Sequence, residues 1–107
     1  MSITIKNLGE GQLAATVSDM YTVAVLKTTI VRQIVLVNTD IVARTINLYY
    51  TKSGSSDRAL FELAYSVDAG KSVCLDRIVT MGAGDKLRGS ASAANAVDYI
   101  ISGIERS

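Results

Sequence analysis

The chain has 107 residues, 49% of them hydrophobic, a formal net charge of +1, no histidine and one cysteine. That length fits one domain around one modest core, the hydrophobic share excludes disorder, and the near-neutral balance gives no electrostatic reason to bind nucleic acid or an anionic membrane. Without histidine there is no His-based acid–base catalysis, no His-containing triad and no His metal site, and one cysteine excludes an internal disulfide framework and a Cys-cluster zinc site.

Residues 2–8 alternate Ile3 and Ile5 with Thr4 and Lys6, the pattern of a strand, and Gly9-Glu10-Gly11 breaks it. The same segment has no apolar signal-peptide region, and no run elsewhere approaches the ~18 apolar residues of a membrane helix. A soluble protein made in the cytoplasm is the expectation. A weaker strand is predicted over 12–17, a turn at Ser18-Asp19 and a short extended stretch over 20–25. Residues 28–38 form the strongest strand, with Ile30, Ile34 and Leu36 read on one face and Val31, Val35 and Val37 on the other. Apolar residues on both faces suggest a central strand buried on two sides, or a strand with one face at a subunit contact.

After a turn at Asn38-Thr39-Asp40, residues 44–52 alternate cleanly, Ile46, Leu48 and Tyr50 inward and Thr45, Asn47 and Tyr49 outward. Residues 52–57 form the most polar loop. Ala59, Phe61, Leu63, Tyr65 and Val67 are read as the next inward row, with Leu60 outward and a helix over 57–65 as the competing reading. Short strands follow at 72–75, 78–81, 86–91 and 97–104, separated by turns at Asp68-Ala69-Gly70-Lys71, Gly82-Ala83-Gly84-Asp85 and Ser92-Ala93-Ala94-Asn95. Strands at this spacing read as an all-β, single-domain antiparallel β-sandwich spanning 1–107, jelly-roll or Ig-like.

Three glycine signatures carry no nucleotide chemistry. Gly70-Lys71-Ser72 resembles the end of a phosphate-binding loop, but Tyr65 stands where the motif needs its first glycine and a strand follows where a helix is required. Gly9, Gly11 and Ala14 match a loose dinucleotide fingerprint with no βαβ unit around it, and Gly82 and Gly84 match it only in part. Cys74 lies between Val73 and Leu75 with no histidine to activate it, so it reads as a small apolar filler. The acids Asp19, Asp40, Asp57, Asp68 and Asp85 fall at turns, where aspartate bonds its own backbone, and no loop has the acid density of a calcium site. No catalytic, cofactor-binding or metal-binding residue is assigned, and an enzyme is not expected.

The chain has no proline to guard sheet edges, and Leu60, Val31, Val35 and Ile101 are read on faces that should be wet. This leaky alternation suggests that edges and one face are covered by other subunits. Interface candidates are Ile3 and Ile5 of the first strand, the outward Tyr49 and Leu60, and the loop residues Ser53, Gly54, Ser55, Ser56 and Asp57.

Several segments then follow one pattern in order: Tyr21-Thr22-Val23, Lys27-Thr28-Thr29-Ile30-Val31, Ile34-Val35-Leu36-Val37-Asn38, Thr45-Ile46-Asn47-Leu48-Tyr49, Ala83-Gly84-Asp85-Lys86-Leu87-Arg88-Gly89, and Val97-Asp98-Tyr99-Ile100-Ile101-Ser102-Gly103-Ile104-Glu105. Together they resemble small β-sandwich virion proteins of tailed bacteriophages, with Ala24-Val25-Leu26 where members often have a Pro-Ala-Gly-type turn. The resemblance implies no catalytic residues. It implies a virion structural role, with a capsid decoration or cement protein expected first. A tail, neck or baseplate component and a carbohydrate-binding attachment module using Tyr49 or Tyr50 are the alternatives. The implied partners are the major capsid protein or other virion proteins and copies of the chain itself, a trimer being favoured, with no nucleic acid and no membrane. The implied location is the virion.

Overall fold

The computed structural model describes residues 3–76 and 78–106. Ser2, where the first predicted strand begins, and Arg77 lie outside the described residues. Among the described residues the regular structure is all strand: β1 (Ile3–Gln12), β2 (Ser18–Thr22), β3 (Thr28–Asn38), β4 (Arg44–Thr51), β5 (Arg58–Ala59), β6 (Tyr65–Val67), β7 (Ser72–Leu75), β8 (Val79–Met81), β9 (Lys86–Ala91) and β10 (Val97–Arg106). One sheet runs β1-β10-β3-β7, with β8 also on β3; the other runs β2-β9-β4-β5, with β6 also on β4. The recorded pairs are antiparallel. Because β7/β8 share one strand position and β5/β6 another, the order reduces to eight positions wound as a jelly roll. The β-sandwich expected from the sequence is the fold.

The two sheets bury one continuous core. Val31, Ile34, Leu36, Val97 and Ile101 of the first sheet meet Ile46, Leu48, Leu87 and Ala91 of the second. These are the β-branched and branched aliphatic side chains that pack well between pleated surfaces. The Tyr21 hydroxyl also bridges the layers through a 2.7 Å hydrogen bond with the buried Thr29 Oγ1.

Bulges explain most of the departures from the sequence reading. Opposite the Ser102–Gly103 step, β3 carries one extra residue, since Ser102 pairs with Gln33 and Gly103 with Val31. Arg32 absorbs it, and the alternation inverts there. Val31 therefore joins Ile34 and Leu36 in the core, while Ile30, Val35 and Val37 face outward, correcting the predicted faces of that strand. A bulge at Leu8 does the same in β1, whose partner jumps from Ser102 to Ile101 between Asn7 and Gly9. The strand does not break at Gly9-Glu10-Gly11 as expected. It continues to Gln12 because neither Gly9 nor Gly11 takes a positive φ, and the Tyr99 ring occupies the space over Gly11.

Three further expectations are corrected. Ser18-Asp19 lies inside β2, and the region over 13–17 is coil. The row over 59–67 is neither one strand nor a helix: β5 ends at Ala59, Ala64 takes a positive φ of 53°, and β6 begins at Tyr65. Leu60 and Phe61 consequently turn toward the core, while Leu63 points out. Edge protection also exists without proline. The outer positions are held by bulged strands (β1, β2) or by split short ones (β5/β6, β7/β8), both of which spoil a template for further pairing. Of the residues read as leaking onto wet faces, Val31 and Ile101 are fully buried and Leu60 packs on the core.

Candidate interaction surface

The sandwich has two outer faces of opposite chemistry. On the second sheet, β2, β9 and β4 bring Asp19, Lys86, Arg88 and Thr51 together beside the 52–57 loop. Lys86 Nζ donates to Asp19 Oδ2 at 3.0 Å, Arg88 Nε donates to Asp19 Oδ1 at 2.9 Å, and Arg88 Nη1 donates to both Asp57 oxygens at 3.0 Å. Thr51 Oγ1 completes the network on Asp57. The hydrogen bond from Lys86 holds the Asp19 carboxyl below its usual range, and that from Thr51, with help from Arg88, does so for Asp57. Each charge in this network already has a protein partner. A shallow cleft of about 400 Å³ lies over it, lined by hydroxyls of Thr51, Ser53 and Ser55 and the charged ends of Lys52 and Lys86.

Asp85 ties that end of the sandwich together. Its side chain is buried and accepts from the Tyr50 hydroxyl at 2.8 Å and from the backbone N–H groups of Ser53 and Gly82 at 2.9 Å each. Burial pushes the carboxyl up, but the two N–H groups, the Tyr50 hydroxyl and the Lys52 charge together outweigh it and the net shift is down. Gly84 beside it needs to be glycine: its φ is +84°, and a Cβ there would lie 2.9 Å from Ser53 Oγ. At the opposite end Asn38, fully buried, donates to Val42 O and Val67 O at 2.9 Å each and accepts from the Asp40 N–H at 2.9 Å. The sequence reading placed both residues in turns. It could not show that Asp85 also holds the 52–57 loop and Tyr50 of β4, or that Asn38 also holds the end of β6.

The outer face of the first sheet is built differently. The registers align Ile5, Ile104, Ile30 and Thr80 across β1, β10, β3 and β8. A second row places Ile100, Val35 and Cys74 side by side, with Asn7, Ser102 and Gln33 between the two rows. Ile3, at the start of β1, stands one row further along, beside Arg106 and Thr28. Ile3 is 65% exposed, Ile5 84% and Ile100 43%. Shallow depressions of about 310 and 330 Å³ flank Ile104. Polar side chains share this face: Glu10 stands in the second row beside Ile100, Arg32 is exposed at the bulge, and Gln33 Nε2 donates to Asp76 Oδ1 at 3.2 Å.

The sequence candidates therefore divide. Ile3 and Ile5 lie on the apolar face. Tyr49 lies half-buried on the polar face, and Ser53, Gly54, Ser55 and Ser56 are exposed beside it, whereas Asp57 is engaged with Arg88. Leu60 is corrected from outward to packed on the core. Of the two adjacent tyrosines, Tyr50 is committed to Asp85, which leaves Tyr49 alone as an aromatic platform. The structure adds Ile30, Val35, Ile100 and Ile104 to the apolar face. The run Tyr99-Ile100-Ile101 is apolar at both parities and hints at a second face on β10, but the row that joins Ile104 and Ile30 exists only through the register. Cys74, read as a filler, is exposed on this face. Among the described residues there is no group of three or more acids or cysteines that could hold a metal ion, and no helix is long and apolar enough to cross a membrane.

No protein-family model matches the chain, and no curated protein matches it. Among solved structures it is similar to a chain in the structure of infectious bursal disease virus Gx strain, with 12% sequence identity and a TM-score of 0.53 over 97% of this chain and 32% of that chain. A chain in the structure of the Gt strain of that virus gives 9% identity and a TM-score of 0.49 over the same shares. The protein thus spans about a third of the length of those viral chains. The likeness is one of fold, an antiparallel sandwich that occurs there as part of a larger chain.

Proposed function

We propose that this protein is a structural component of a virus particle that acts by burying one sheet face, without covalent chemistry, against neighbouring virion proteins. Within that class the reading is a decoration or cement protein on the shell of a tailed bacteriophage. The observation that carries it is the isoleucine-bearing face of the first sheet, with Ile3 and Ile5 held open on a regular strand. Exposed contiguous apolar surface on a folded sheet is the mark of a contact site. The jelly-roll fold, shared with a chain of a virus structure, supports the same reading. The polar face supports it by contrast, since its charges are satisfied within the chain.

A cement role suits weak contacts repeated many times, where multivalency multiplies modest affinities. The alternative placement is in the neck, tail or baseplate. Copy number separates the two. Quantitative mass spectrometry of purified particles is expected to give about one copy per major capsid subunit. A ratio nearer one in a hundred would reject the cement role in favour of the tail-associated one.

A further inference from the structure

We propose that the apolar face of the first sheet binds a second copy of this chain through a two-fold, antiparallel stacking of β10 on β10. This rests on the reading of that face as a contact surface, and it names the partner. The outward side chains of β10 run in the order Asp98, Ile100, Ser102, Ile104, Arg106. Their outward direction follows from the register, since the alternate residues Val97, Tyr99, Ile101 and Gly103 are buried. The series is symmetric about Ser102 in its apolar members and opposite in its charged ends.

A closed pair of identical chains needs a surface that is complementary to itself. A two-fold axis lying in the plane of the face, across the strands at Ser102, supplies that here. It sets Ile104 over Ile100 and Arg106 over Asp98 of the second copy, and each contact occurs twice. On β3 the same operation sets Ile30 against Val35, while on the edge strand β1 it sets Ile5 against Glu10, so the apolar contact is centred on β10 and β3 and Glu10 lies at its rim. The same axis keeps the hydroxyl of Ser102 at the centre, where the two sheets approach. Arg32, exposed at the bulge, is brought within reach of the second copy's Asp76, which flanks the same central row.

Size agrees with a reversible pair. Eight residue steps from Asp98 to Arg106 span roughly 27 Å, and four strands span roughly 19 Å. Two such faces bury about 1,000–1,200 Å² in total, the lower bound of specific interfaces, which fits a reversible pair rather than a permanent one. The sequence-based expectation was a trimer. A three-fold contact is heterologous and needs a second, different patch to receive the isoleucines. The polar face, with its charges already paired to one another, does not provide one.

Sedimentation equilibrium of the full chain across the micromolar range tests this, with circular dichroism to show that each variant is folded. The wild type is expected to run as a monomer–dimer equilibrium. Ile104→Asp is expected to lose the dimer. Asp98→Arg is expected to weaken it at least tenfold, by setting two arginines against each other twice. The doubly exchanged variant Asp98→Arg/Arg106→Asp is expected to recover wild-type association to within about threefold, since the pairing is restored with its sign reversed. A trimer, a strict monomer, an Asp98→Arg variant that dimerises normally, or a double variant that stays as weak as the single one would each overturn the two-fold pairing. Incorporation into particles separates this from the broader reading. If the wild type is monomeric and Ile104→Asp still abolishes incorporation, the pairing fails and the contact surface stands. If Ile104→Asp changes neither, both fail.

Discussion

The two outer faces of this sandwich are made from the same strand alphabet and end in opposite states. On the second sheet, Lys86 and Arg88 stand at alternate positions of β9, and acids from β2 and the 52–57 loop reach across to meet them. That face closes on itself. On the first sheet, the outward positions of β1, β10 and β3 carry isoleucine and valine with little local cover. Fully burying such side chains contributes about 1.5–3 kcal/mol each, a gain left largely unrealised at Ile3 and Ile5 and only in part at the half-buried Ile30, Val35 and Ile104. The difference teaches that polarity on a sheet face is no index of availability. The charged face is chemically busy and already occupied, whereas the plain one is where a partner gains most.

Substitutions separate the two faces. The largest effect is expected at Gly103, the position where β10 passes the bulge in β3. A Cβ there would lie 2.2 Å from the Ile30 carbonyl oxygen, a backbone atom that cannot swing away. Gly103→Val should cost at least about 3 kcal/mol in denaturant unfolding, because the first sheet's face depends on that close approach. Next comes Asn38→Leu, which leaves the buried Val67 carbonyl, the part-buried Val42 carbonyl and the Asp40 N–H without their partner and should cost about 3 kcal/mol. A cost below about 1 kcal/mol would show that the end of the sandwich relaxes around it.

Acid should act on the polar side selectively. The carboxyl of Asp85 is depressed in the folded chain, as are those of Asp19 and Asp57. A group whose folded pKa lies below its unfolded value of about 3.9 contributes stability that is complete above about pH 5 and is lost as the pH falls through the folded value. Unfolding free energy should therefore drop below about pH 4, and Asp85→Asn should flatten part of that drop. An acid limb unchanged in the variant would remove Asp85 from the account. Smaller still is Arg88→Ala. Its two ion pairs are about one-third to one-half exposed, so the loss should be the smallest of these and should shrink further in salt. Ile5→Asp should leave folding stability within about 0.5 kcal/mol, because the side chain is already in water, yet reduce incorporation into particles.

Much of the architecture was legible in the sequence. The clean alternation of Ile46, Leu48 and Tyr50 located β4 and its inward face, and the turns at Gly70 and Gly84 fell where a positive φ is needed. Failures cluster where the period of two is interrupted. One bulged residue inverts every later assignment, so Ile30 and Val31 exchanged faces at Arg32. The split between β5 and β6 put Leu60 inside. For the site, Ile3 and Ile5 could be read directly, because an edge strand's alternation is local. Their neighbours Ile104 and Ile30 could not, since the row they form exists only once three strands are in register.

The most direct test uses the protein's own thiol. Cys74 is the single cysteine of the chain and lies exposed on the apolar face, opposite Val35. Its alkylation rate should fall at least about tenfold when the protein is taken from dilute solution into assembled particles, because the face is then excluded from water. A Cys74→Ser chain carrying Ser55→Cys, which reports on the polar side, should keep its rate. Protection of the Ser55 position with Cys74 still reactive would contradict the account, because it would place the contact on the face that is already satisfied.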